Sequence, residues 1–127
     1  YLYRIAAVDA AGNESPQSSS VSLTTATEGA SIAAPTNLSA SYNGSLTPPA
    51  VELTWTPPAE WDSFLIQRAE VVAGSSSLNF TTLELTHATT SYTDPSIASD
   101  RTYVYRVSTN RLGSISDPSS IAVVVIP

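Results

Sequence analysis

The side chains that could do chemistry in this 127-residue chain are few: eleven Asp and Glu, five Arg, one His, and no Cys. Glycosidic hydrolysis needs two carboxyls facing one another across a cleft. Glu52, Glu70, Glu84, Asp94 and Asp100 are instead dispersed among different segments, where solvated faces and turns account for them. His87, in Thr86-His87-Ala88-Thr89, has no Ser-His-Asp ordering around it and is expected as a solvated loop histidine. A single His excludes a metal centre built from several histidines, and the lack of Cys excludes disulfides, thiolate nucleophiles and thiolate zinc sites. Asp9, Asn13 and Glu14 cluster beside Gly12 and offer oxygens to Ca²⁺, but without the alternating ligand spacing that Ca²⁺ favours. An ordinary turn is expected there. No catalytic residue, cofactor or metal site is therefore expected, and the scarcity of activated nucleophiles and bases argues against an enzyme.

Two tryptophans separate on position. Trp55 sits mid-strand among alternating apolar residues and is expected in the core. Trp61 follows Pro57-Pro58-Ala59-Glu60 in a loop, where an indole can stack on a carbohydrate or a protein partner, or cover an open edge. It is the one candidate ligand or partner contact. Asn-x-Ser/Thr triplets at Asn13, Asn37, Asn43 and Asn79 are glycan acceptors in a secreted chain, although Ser/Thr-rich sequence generates such triplets readily.

These residues must be positioned by strands. Nine prolines break nearly every long window, and period-two alternation replaces helical spacing. Val51, Leu53 and Trp55 alternate with Glu52, Thr54 and Thr56 until Pro57-Pro58 ends the strand. Phe64, Ile66 and Arg68 share a face of the next strand; Leu83 with Leu85, and then Ser91-Tyr92-Thr93, form shorter ones. Tyr103, Tyr105 and Val107 point inward opposite Thr102, Val104 and Arg106, and Ile121 to Ile126 is apolar on both faces. Seven or so short strands with regular turn signals predict an all-β fold, an antiparallel immunoglobulin-like sandwich of two sheets. Its expected core includes Trp55, Phe64, Ile66, Tyr92, Ile97, Tyr103, Tyr105 and Val107.

The chain also repeats itself. Tyr1-Leu2-Tyr3-Arg4-Ile5 returns as Tyr103-Val104-Tyr105-Arg106-Val107, 102 positions later, and Pro16 and Val21 return as Pro118 and Val123. The intervening loop differs by one residue, because Gly12 matches Gly113 best. Residues 1–25 thus read as the last two strands of a preceding domain, 26–34 as a small-residue linker, and 35–127 as one complete domain with all its strands. The chain lacks an initial Met and a signal-peptide layout, and is read as an excerpt of something longer.

Three segments resemble the fibronectin type III family. Val51-Glu52-Leu53-Thr54-Trp55-Thr56-Pro57-Pro58 resembles its second strand, and Phe64-Leu65-Ile66-Gln67-Arg68 its third. Ile97 with Thr102-Tyr103-Val104-Tyr105-Arg106-Val107 resembles the entry to its sixth, with Ser99-Asp100 where the family usually has Pro-Gly. The resemblance implies that Tyr103 forms a tyrosine corner, its hydroxyl bonding backbone a few residues upstream. Tyr1 to Thr25 resembles the last two strands of bacterial members.

A net charge of −6 argues against nucleic acid and anionic membrane surfaces, and no apolar run approaches the length of a membrane-spanning helix. The expectation is a non-catalytic spacer, adhesion or interaction module in a multidomain protein, extracellular or at the cell surface. Its partners would be neighbouring domains of the same chain, and a polysaccharide or another surface protein. Two alternatives are an ancillary module of a secreted polysaccharide-degrading enzyme, with Trp61 as its contact, and a subunit of a surface filament.

Overall fold

The computed structural model describes residues 2–3, 6–8, 10–13, 15, 21–22 and 31–127. They fall into two units, Tyr1–Ser31 and Ile32–Pro127. In the first, strand β1 (Leu2–Tyr3) pairs antiparallel with β2 (Val21–Ser22).

The second unit is all-β, and its eight strands form two antiparallel sheets. They are β3 (Thr36–Asn43), β4 (Ala50–Thr56), β5 (Ser63–Glu70), β6 (Thr81–His87), β7 (Ser91–Asp94), β8 (Thr102–Arg111), β9 (Ser114–Ile115) and β10 (Ala122–Val125). One sheet has the order β3-β4-β7, the other β10-β8-β5-β6, with the short β9 folded back on β8. Alternation explains β4: Val51, Leu53 and Trp55 are buried between the sheets, while Glu52, Thr54 and Thr56 face water. From the facing sheet come Phe64, Ile66, Tyr103, Tyr105, Val107 and Val124, all buried. Tyr92 and Ile97 are partly buried against this core, together with Trp61 and Leu83.

Two strands depart from simple alternation. In β6, Leu83 packs on the core but Leu85 is exposed, because register shifts opposite Phe64, Ile66 and Gln67 rotate the strand partway along. In β10, Val124 is buried, whereas Val123 and Val125 are exposed although the stretch is apolar throughout. An edge strand has one face packed on the core and the other bare.

The link from β8 to β10 is fastened by two serines. The Val107 N–H donates to Ser119 Oγ (3.0 Å) while the Ser119 N–H donates to the Val107 carbonyl (2.8 Å). Thr109 and Ser116 repeat the arrangement, at 2.9 and 2.8 Å. Each hydroxyl thereby satisfies a buried backbone donor where the ladder is interrupted.

Candidate functional site

The most concentrated chemistry lies inside the sandwich. Arg68, on the same face of β5 as Phe64 and Ile66, reaches across to Asp94 at the end of β7, with Nη1 2.7 Å from Oδ2. The Tyr105 hydroxyl donates to that same oxygen (2.8 Å), while the Ser96 backbone N–H and hydroxyl donate to Oδ1 at 3.0 and 2.6 Å. Burial works to raise the Asp94 pKa, but the bonds from Ser96, Tyr105 and Arg68 outweigh it and hold the carboxyl below its usual value. Burial and the same carboxylate push the Tyr105 phenol far above its ordinary range. Asp94 is therefore not the solvated turn residue that the sequence leads one to expect. It is fully buried. With four donors and no free face, the group joins one sheet to the other and has nowhere to admit a substrate.

His87 also departs from expectation. It ends β6 with its ring largely covered, in edge contact with Trp55 and Tyr92 at centroid distances of 6.2 and 5.2 Å. Its Nδ1 lies 3.0 Å from Glu84 Oε2 and its Nε2 2.6 Å from the Ser91 carbonyl. The ring closes the β6–β7 turn at the border of the core, because β6 extends through residue 87 and carries the imidazole over Trp55. No nucleophilic hydroxyl is aligned on it by a third group, and its nearest hydroxyl, that of Thr89, donates to the Ser91 carbonyl.

The surface carries two features, one at each end of β8. At the end reached by Arg111, the loop between β4 and β5 is tied to the β8–β9 hairpin. Arg111 donates to Glu60, the Asp62 N–H to the Asn110 carbonyl (2.9 Å), and the Leu112 N–H to Asp62 Oδ2 (2.7 Å). Trp61 lies half-buried in that loop, its ring tilted on Phe64 at 4.7 Å. One indole face is thus committed to the core, which leaves little of the ring as a stacking platform. Leu112 projects from the hairpin with 83% of its surface exposed. Its φ is +50° and that of Gly113 +77°, a type I′ turn. At the other end of β8 an open hollow of about 150 Å³ is walled by Pro48, Pro49, Pro95 and Pro127 around Tyr42 and Ile97.

The remaining candidates are scattered. Glu70 pairs with exposed Arg101, and Glu52 accepts from the Asn43 amide. Asn37 and Asn79 are exposed, and the Asn37 amide donates to Thr56. Asp9 and Glu14 lie outside the described residues, while Asn13 is exposed. Among the described residues no three His, Asp or Glu side chains gather where they could hold a metal ion.

No family model matches the sequence, and no curated protein matches it either. Solved structures do. An Fn3-like protein from Clostridium thermocellum is 28% identical, with a TM-score of 0.63, over 77% of this chain and 96% of that one. Residues 35–127 are a fibronectin type III domain. The FN5 domain of Drosophila Lar matches at 21% identity and TM-score 0.58, over 73% of this chain and 94% of that one. A titin fragment, 19% identical with TM-score 0.59, shares the fold over 75% of this chain and only 32% of its own.

The tyrosine corner of the fibronectin domain is present: the Ala98 N–H donates to the Tyr103 hydroxyl at 3.1 Å. Asp100 takes the place of the family's glycine there with a φ of +58°, a left-handed conformation that Asp tolerates better than most residues. What sequence reading missed in this domain was the Arg68–Asp94–Tyr105 link. Its one available signal was an arginine placed in phase with Phe64 and Ile66 on a face otherwise bound for the core.

Proposed function

We propose that the chain is a non-catalytic fibronectin type III module, one link in an extracellular or cell-surface array, that spaces and orients its neighbours. One observation carries the reading: the hydrogen-bond pattern of the domain's last hairpin recurs in residues 1–31. The Ala7 N–H donates to Ser15 Oγ (2.8 Å) and the Ser15 N–H to the Ala7 carbonyl (2.7 Å). Thr109 and Ser116 make the same reciprocal pair, displaced by 102 and 101 positions. The strand register agrees with that displacement. Leu2 faces Ser22 and Tyr3 faces Val21, as Val104 faces Val123 and Tyr105 faces Ala122. Gly12 and Gly113 have φ values of +86° and +77°. Residues 1–25 are accordingly read as the closing strands of a like domain, which makes this an excerpt of a repeat.

In such a protein the work is geometric: rigid sandwiches joined by linkers set the distance between the parts they connect. Small-angle scattering of a longer chain with several of these repeats is expected to give an extended profile. A compact one would overturn the array reading. The polysaccharide-enzyme alternative requires Trp61 to use its exposed edge; unchanged mobility of both parent and Trp61→Ala in gels containing polysaccharide would remove it.

A further inference from the structure

The geometry points to a head-to-tail contact between copies of this chain, in which Leu112 of one copy seats in the proline-walled hollow of the next. The inference rests on the array reading and names the contact between links. Leu112 is the most exposed large apolar residue described, and its position is not explained by turn chemistry. A type I′ turn favours Asn or Asp where Leu stands, since a left-handed backbone penalises larger side chains. The residue at the corresponding place in the first unit, one before Gly12, is Ala11, so the hairpin has no need of a leucine. The Asp62 carboxylate that accepts the Leu112 N–H, together with the Arg111–Glu60 pair, holds the strained tip fixed rather than letting it relax.

The hollow has the complementary shape and chemistry. Its volume is about 150 Å³, and a dry cavity of about that size accepts a six-carbon ring, so the four carbons of a leucine side chain fit. Its walls carry no charged side chain: Tyr42, Ile97, Ile126 and the prolines are apolar, with Ser99 at the side. Leu112 follows the last residue of β8, while Ala98 and Ser99 precede the first. Ten strand residues at about 3.3 Å each place knob and hollow some 30 Å apart, so the two cannot meet within one copy. A contact between unlike ends propagates without closing, which suits a linear array.

Sedimentation of the full 127-residue chain up to about 1 mM, the effective concentration that a short linker imposes on neighbouring domains, tests the contact. Wild type is expected to show a weight-average mass that climbs past the dimer. Leu112→Asn, which keeps the turn, and Ala98→Arg, which fills the hollow, are each expected to weaken association at least tenfold. Their equimolar mixture is expected to associate again but to stop at dimers, since only one knob and one hollow remain intact. Circular dichroism and thermal melts of both variants separate lost contact from lost fold. A monomeric wild type, a Leu112→Asn chain that associates like wild type, or a mixture that stays monomeric would each overturn the contact. None of these outcomes touches the array reading, which stands or falls on scattering from the longer chain.

Discussion

Asp94 shows how much a single buried charge can decide. Its carboxylate is 1% exposed, its Arg68 partner 19%, and neither sheet supplies both groups. Removing the charge while keeping the shape leaves the guanidinium half-stranded. Asp94→Asn is therefore expected to destabilise the domain by about 3 kcal/mol, the lower end for a broken buried pair because Arg68 retains some access to water. Urea unfolding at neutral pH measures it. The carboxyl titrates below its unfolded value, so its contribution is present above about pH 4 and disappears as the pH falls through the folded value. Wild type should lose stability through that acid window, while Asp94→Asn, already lacking the contribution, should show a shallower slope. Equal slopes for the two proteins would mean that Asp94 is not ionised in the fold.

The hairpin between β8 and β10 concentrates the element-scale physics. Ser119 and Ser116 each satisfy a backbone N–H that the interrupted ladder leaves behind, and both serines are buried. Ser119→Ala would leave the Val107 N–H without its Oγ acceptor, at a cost of about 1–3 kcal/mol, readable as a lowered denaturation midpoint with unchanged m-value. The tip behaves oppositely. Leu112 occupies a left-handed conformation that suits asparagine, so Leu112→Asn is expected to raise stability by about 0.5–1 kcal/mol in the same assay. A destabilised Leu112→Asn would show that the exposed side chain makes contacts within its own copy.

For the whole molecule, the buried residues that form the core all belong to the unit Ile32–Pro127. Deleting residues 1–31 should leave the melting temperature within about 2 °C of the full chain. The isolated 1–31 peptide should give the dichroism of an unfolded chain, because an isolated hairpin is marginal in water. The sequence by itself determined the all-β class, the alternating faces of β4 and β8, the repeat, and Tyr103 as a corner residue. These are local: side-chain period, proline stops and turn residues act over a few positions, and a motif of that length can be read where it stands. Only the tertiary structure decided that Asp94 is buried, that His87 lies against Trp55, that Leu85 and Val123 face outward, and that a hollow opens beside Ile97. Each depends on residues distant in the chain (Arg68 and Asp94 are 26 positions apart), or on a bulge that rotates a strand. The charge of a residue says what it can pair with, and only the packing of two sheets says whether the partner is there.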